Sequence, residues 1–404
     1  DALYVAVKGV GNQYEQAKRI SGLMNQSQNK PVYYNVLAMV GGQDALEIVS
    51  GAFKTNSGNV KQVAFDALTK WSDFSATEEL YQISKATGEY SDKALTAYVS
   101  KINRSGQPAD QRLLLLRRAL DIAKTNQQKN EIIRQIGRTG TFLALITAGR
   151  YLDNVDLQQT AAQVVMNVAL ANKDYYGKEV TDLLRKAIAV NKDPEAEYQK
   201  QAVLKHMAGL SNGDGYVSMF NGKDLTGWKG LVENPIARAK MTPKQLAEKQ
   251  KKADEIMRRD WRVENGVLVF DGEGYDNLCS VKDYGDFDMI VDWRIEPKGD
   301  AGVYLRGSPQ VQVWDISLTN VGAQVGSGGL YNNQKNPSKP LVVADNPVNE
   351  WNTFRIRMVG EKVTVYLNGV LVTDDVTLEN YWDRKIPIFS KDAIELQAHG
   401  TRVE

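Results

Sequence analysis

Between Ser211 and Trp228 the apolar residues of this chain change their period, and that switch constrains the fold more than any other feature. Upstream, from about Tyr14 to Leu210, apolar residues recur three and four apart with turn residues at short intervals, the pattern of successive amphipathic helices. Within SNGDGYVSMFNGKDLTGW, Gly, Asn and Asp cluster and the helical period stops. Downstream, short runs rich in β-branched and aromatic residues alternate with turn signals, which predicts strands. A chain of 404 residues exceeds what one hydrophobic core serves. Two domains are therefore expected, α then β, over residues 1–210 and 217–404, with a linker at 209–216.

The helical half shows internal similarity. VLAMVGGQDALEIVSGAF from Val36 compares with IIRQIGRTGTFLALITAGRYL from Ile132: in each, one helix ends at a glycine, Gly41 or Gly137, and another begins a few residues later. NVKQVAFDAL from Asn59 and DLQQTAAQVV from Asp156 share their apolar spacing about 97 residues apart, and QRLLLLRRAL from Gln111 fills the midpoint. The unit of roughly 48 residues lies near the range of HEAT and armadillo repeats. The spacing thus predicts a HEAT/armadillo-like α-solenoid with a concave face suited to a protein partner.

Composition removes some classes of function. A formal net charge of +1 gives no field for steering nucleic acid, so nucleic acid is not an expected partner. No apolar run is long enough to span a membrane, and the first residues lack the basic and apolar regions of a signal peptide. The single cysteine, Cys279, rules out an intrachain disulfide and reads as a small buried apolar residue. The first residue is not Met, and with a sugar-directed β-domain this suggests export, hence a periplasmic or secreted location.

A basic stretch, NPIARAKMTPKQLAEKQKKADEIMRRD at 234–260, interrupts the β pattern. Thr242, Pro243 and Gln245 form an N-cap, a first-position proline and a capping-box partner, so a helix is predicted from about Pro243 to Arg259. It reads either as a solvated helix or as a cover over the mouth of the β-domain site.

Strands are predicted at 261–270, 286–295, 351–360, 362–372 and 393–400, with Asn368-Gly369 a hairpin signal inside VTVYLNGVLV. Two more lie in AGVYLRGSPQVQVWD, Ala301 to Asp315, whose alternation is unusual. Tyr304 and Arg306 share one face, as do Gln310, Gln312 and Trp314, while Val303, Leu305, Val311 and Val313 share the other. Such large polar groups on an open sheet face suit a flat polar ligand such as a sugar.

The segments FNGKDLTGW (220–228), WRVENGVLV (261–269), DNLCSVKDYGDFDMIVDWRI (276–295), AGVYLRG (301–307), QVQVWD (310–315), WNTFRI (351–356), YLNGVLV (366–372) and IELQAHG (394–400) occur in the order of a known family. This region resembles the 3-keto-disaccharide hydrolase family. The resemblance implies a concanavalin-like jelly roll acting on glycosides already oxidised to a ketone at C3. The ketone acidifies the C2 hydrogen; a base removes it, the C1 group leaves by β-elimination, and water adds back. Such a site needs a base, a group that stabilises the enolate oxygen, and hydroxyl binders. The family often has Glu where this chain has Gln310, and its pattern continues past the His-Gly pair, so a further strand after Glu404 is expected to be missing and a sheet edge open.

His399 suits the base because imidazole titrates near neutrality. With Gln397 and Glu395 two and four residues earlier, it places an imidazole, an amide and a carboxylate together. His399 is either the base or a ligand of a divalent metal ion shared with Glu395 or Asp292; the spacing does not separate these. Asp292 and Arg294 share a face and read as catalytic and substrate-binding candidates, and Arg306 is placed to polarise the ketone. Gln310, Gln312, Gln397 and Tyr304 are hydroxyl binders, and Trp293 or Trp314 a stacking platform. The expected function is cleavage of 3-keto-glycosides. The alternative is a non-catalytic carbohydrate-binding module on a helical scaffold, with a third reading in which the solenoid is the working half.

Overall fold

The computed structural model describes residues 2–404 and divides into two compact units, one ending at Tyr216 and one comprising Val217–Glu404. Among the described residues the first holds thirteen α-helices, from Ala2–Lys8 to Ala196–Ala208, and most helices adjacent in sequence pack against each other. Gly41, at φ 74°, ends the helix Tyr34–Val40 two residues before Gln43–Thr55 begins. Its left-handed conformation favours glycine, and Cβ there would collide with Ser72 and Asp73.

The second unit contains eleven strands: β1 (Trp228–Gly230), β2 (Trp261–Glu264), β3 (Val267–Phe270), β4 (Leu278–Tyr284), β5 (Phe287–Trp293), β6 (Asp300–Leu305), β7 (Ser308–Trp314), β8 (Asn352–Val359), β9 (Lys362–Leu367), β10 (Val370–Thr377) and β11 (Asp392–Leu396). They form antiparallel sheets ordered β1-β4-β11-β6-β7 and β10-β9-β8-β5, with β2 and β3 as a separate hairpin. Val303, Leu305, Val311, Val313 and Ile394 from the first sheet meet Met289, Trp293, Phe354, Ile356, Val365 and Leu367 from the second in one buried cluster. Two faces, each apolar at alternate positions, have closed on each other as a sandwich.

Asn368-Gly369 turns β9 into β10 with φ of 51° and 78°. The segment 261–270, expected as one strand, is a hairpin: Asn265 and Gly266, at φ 50° and 80°, carry the same Asn-Gly turn chemistry. The chain end also differs from expectation. Val403 bridges both Phe270 and Ile295, and the Arg294 and Glu404 backbones exchange hydrogen bonds of 2.9 Å. The last residues therefore already pair where an open edge was anticipated.

The inserted helix Pro243–Asp260 has both hydrogen bonds of its capping box. It lies against the edge strand β1 rather than over a site mouth: Asp254 accepts from Gly230 N at 3.0 Å, and Gln250 Nε2 donates to Gly230 O at 2.8 Å. Gly230 is needed because its Cβ would stand 2.1 Å from Ala253 O. Met257 seats the helix among Trp228, Trp261, Phe270 and Leu278, so one edge of the larger sheet is covered.

Candidate functional site

Antiparallel partners point to the same side of a sheet, and β11 pairs Glu395 with Tyr304 of β6 and with Cys279 of β4. These three side chains stand on the larger sheet's outer face, opposite the core. Asp300, Gly302, Gln310, Gln312 and Trp314 share it, since Asp300 pairs with Trp314 and Gly302 with Gln312. Asn277, just before β4, binds the group together: its Nδ2 donates to Glu395 Oε2 at 3.3 Å, its Oδ1 accepts from Ala398 N at 3.1 Å, and its side chain bonds the Tyr304 hydroxyl.

Glu395 is 1% exposed, and burial pushes its pKa up from 4.5 to about 7, with the Asn277 hydrogen bond and the charge of Arg238 pulling the other way. The same burial, with the Glu395 charge beside it, raises Tyr304 to about 12 and Cys279 to about 12. Arg238 comes from the short inserted helix Pro235–Ala239, and its guanidinium pairs with Asp392 Oδ1 at 2.7 Å. The short helix, not the long basic one, thus reaches the Glu395 end of the face.

A buried carboxyl with a raised pKa stabilises the fold only while protonated. Relative to Glu395→Gln, its contribution is full below the unfolded value of 4.5 and is lost as pH rises to about 7. The loss should be on the order of 3 kcal/mol. Urea unfolding of parent and variant from pH 4.5 to 8, followed by tryptophan fluorescence, reads this directly, because six of the seven tryptophans lie beyond residue 216. A parent-minus-variant difference that stays flat across that window would refute the buried-acid assignment.

His399 is the open member of the set, with its side chain 46% exposed and Nδ1 3.2 Å from Asp300 Oδ2. A carboxylate at that distance accepts a hydrogen bond from Nδ1–H and leaves Nε2 as an acceptor. Asp300 is itself held, its Oδ1 accepting from Gln312 Nε2 at 2.7 Å and its N donating to Thr401 Oγ1 at 3.2 Å. Tyr275 packs edge-on against the imidazole with ring centroids 5.6 Å apart. Gly400, at φ 68°, permits this, since a Cβ there would stand 3.1 Å from the Tyr275 hydroxyl. The His-Gly pair therefore supplies a half-open imidazole and the space for the ring beside it.

Other sequence candidates lie elsewhere. Arg306 is 2% exposed in the β6–β7 turn, where it and Gly307 have φ of 50° and 70°. Its guanidinium donates to Gly285 O (2.7 Å), Gly360 O (2.9 Å) and Asp286 Oδ1 (2.8 Å), so it ties three loops together and does not face the site. Asp292 and Arg294 belong to the β5 side of the sandwich, in the other sheet: Asp292 Oδ1 accepts from Thr353 Oγ1 at 2.6 Å, and Arg294 Nε donates to Glu404 at 2.8 Å. Trp293 is core.

Gln310, Gln312 and Trp314 are on the expected face, but it is not open there. Gly328, Gly329 and Leu330 return along β7, and Trp314 Nε1 donates to Gly326 O at 2.9 Å. Gln310 Nε2 donates to Gln312 Oε1 at 2.5 Å, which makes the two amides a buried floor. Gln397 keeps its Oε1 buried with no protein partner. Sequence reasoning missed Asp300 and Asn277, which act on residues about a hundred positions away and carry no local signal.

Among the described residues no group of three His, Cys, Asp or Glu side chains has the arrangement of a metal site. His399 commits Nδ1 to Asp300, and Glu395 is bound by Asn277, so the pair does not fit the metal-ligand role that its spacing allowed. No helix among these residues is long and apolar enough to cross a membrane.

No curated protein matches the chain. Among solved structures, a candidate glycosyl hydrolase from Parabacteroides distasonis is 23% identical, covering 46% of this chain and 88% of its own, with a TM-score of 0.34. A second candidate glycosyl hydrolase from that organism is 19% identical over 36% and 85%, with a TM-score of 0.30. The carbohydrate-binding module CBM66 from Bacillus subtilis is 14% identical over 44% and 91%, with a TM-score of 0.25. None of these lends a residue role to this chain. Residues 215–404, which contain the whole β-rich unit, match the model of the 3-keto-alpha-glucoside-1,2-lyase-like domain.

Proposed function

We propose that the β-rich unit, a concanavalin-like jelly roll, cleaves 3-keto-glycosides on the outer face of its larger sheet, with the helical unit as a HEAT-like scaffold for a protein partner. The observation that carries this reading is the half-open His399 imidazole, oriented by Asp300 on the face that also holds Tyr304 and Glu395. His399 Nε2 takes the C2 proton, and the C–H electron pair becomes the C2–C3 double bond of an enolate. The Tyr304 hydroxyl donates to the enolate oxygen. When the C3 carbonyl re-forms, the π pair moves to C1–C2 and expels the C1 oxygen, which takes the proton from the imidazolium. Water adding across the new double bond completes hydrolysis. Gln397 Oε1 accepts from a sugar hydroxyl, and Glu395 sits behind Tyr304 as a buried acid that sets the charge there.

Incubating the protein with a 3-keto-glucoside and following aglycone release by chromatography tests the reading. Release is expected, with a C1–C2 unsaturated keto sugar as intermediate. Binding of the sugar without release would instead establish a carbohydrate-binding module.

A further inference from the structure

A trough of about 770 Å³ lies within the helical unit, between the helices Asn126–Gly137 and Gln158–Ala171 and the turn that follows the helix Lys178–Val190. The first two helices run side by side in the same direction. Asn130 Nδ2 donates to Asp156 O at 3.2 Å near their N-terminal ends, and Gly137 meets Val164 further along. A Cβ on Gly137 would stand 2.8 Å from Val164 Cγ2, so this close approach requires the glycine, and Val164 forms an apolar floor.

Gln159, Gln163 and Asn167 recur four apart and form one stripe along the second helix. The two glutamines hold the far wall. Gln159 Nε2 donates to Val190 O at 2.7 Å, and its Oε1 accepts from Lys192 N at 2.8 Å. Gln163 Nε2 donates to Gln199 Oε1 at 3.2 Å, which also accepts from Asn191 Nδ2 at 2.5 Å. The backbone of the 190–192 turn is thereby fixed, while the Lys192 side chain stays exposed at the rim.

The rim carries cations. Arg134 pairs with Glu131 at 3.2 Å, but both side chains are more than half exposed, and such a surface pair holds weakly. Arg138 donates to Gln135 Oε1 at 3.0 Å, and neither it nor Lys192 has a carboxylate partner among the described residues. Asp193, the acid that lines the trough, is engaged by Glu195 N at 2.9 Å. Partnerless cations on both sides of an apolar floor complement carboxylates joined by a small apolar spacer.

We infer that this trough binds an extended acidic segment of a partner protein, with carboxylates at Arg138 and Lys192 and small side chains over Gly137 and Val164. About 12 Å of helix axis separates Gln159 from Asn167, which an extended chain covers in about four residues. A chain with net charge +1 supplies no field to hold nucleic acid phosphates, and a single inorganic anion leaves most of the trough empty. The inference rests on the reading of the helical unit as a scaffold for a protein partner, and it names that partner's chemistry; no step at the β-rich unit enters it.

Fluorescence anisotropy on the full chain tests it, with labelled peptides of alternating Glu and Ala or alternating Lys and Ala, and a labelled thymidine oligonucleotide. The parent should bind the Glu–Ala peptide and not the Lys–Ala one. Arg138→Glu/Lys192→Glu should weaken the Glu–Ala peptide at least tenfold, about 1.4 kcal/mol, and bind the Lys–Ala peptide instead. Arg138→Gln/Lys192→Gln should lose the first without gaining the second, and the control Lys251→Glu, exposed on the helix Pro243–Asp260, should change neither. All the replaced side chains are exposed, so melts followed by circular dichroism should match the parent's. Glu–Ala binding that survives both double variants would overturn the trough while the scaffold reading stands. A parent that binds neither peptide overturns the trough and leaves the scaffold without a site. Oligonucleotide binding lost in the same variants, or release of the peptide by inorganic phosphate, would make the trough a general anion site and overturn its assignment to a peptide.

Discussion

Replacing Arg306 by alanine is expected to lower the stability of the β-rich unit by about 3–5 kcal/mol, the combined cost of orphaned buried carbonyls and the cavity left by the side chain. The guanidinium is 2% exposed and serves three backbone carbonyls, Gly285 and Gly360 with Phe389 at 3.4 Å. Water does not replace a donor at that depth. Its partner Asp286 is mostly exposed and also accepts from Gly360 N at 2.8 Å, so that carboxylate stays solvated and the loss falls on the buried carbonyls. Lysine carries the same charge on a single nitrogen and cannot reproduce the fork, so Arg306→Lys should recover less than half of the loss. Chemical denaturation followed by tryptophan fluorescence reads both variants. An alanine variant within 1 kcal/mol of the parent would return Arg306 to the list of candidates for substrate contact.

The Arg306 result shows where period-two reasoning stops. Alternation assigned Arg306 to the face of Tyr304, but the count ran through a two-residue turn in which both φ values are positive, and a turn residue has no face. The turn sequence Arg-Gly lacks the Asn-Gly signature that made Asn368-Gly369 legible; the locked guanidinium compensates for a left-handed conformation that arginine otherwise avoids. Asp292 and Arg294 failed for another reason. Alternation says whether a side chain points toward the core or away from it, and in a sandwich two opposite surfaces both point away. Only sheet order places Asp292 across the core from Glu395. Gln310, Gln312 and Trp314 were assigned to the right face, yet the return of 326–330 along β7 that buries them leaves no periodic mark. What was legible rests on local chemistry: the change of period near Ser211, the capping box at Thr242, and the strand that carries Glu395, although that strand ends at Leu396 and leaves Gln397 and His399 beyond it.

His399→Ala is expected to reduce kcat for a 3-keto-glycoside by about 10²- to 10⁴-fold, the range lost when a positioned general base is removed, with KM little changed. Asp300→Asn should cost less, because the imidazole remains but loses the acceptor that fixes Nδ1–H and directs Nε2 to the sugar. Activity should fall as pH passes about 7, where Glu395 loses its proton. The new charge lies behind Tyr304, raises the phenol, and opposes the negative enolate oxygen that the phenol must stabilise. Glu395→Gln keeps that position neutral at every pH, so the variant should lose the fall above about pH 7. His399→Ala should lose rate at all pH values while keeping the parent's thermal stability to within a degree or two, since the half-open ring contributes little burial. If Glu395→Gln abolished turnover at all pH values in a folded protein, the carboxyl itself would have to exchange a proton with substrate, and the buried acid would move from behind the donor into the reaction.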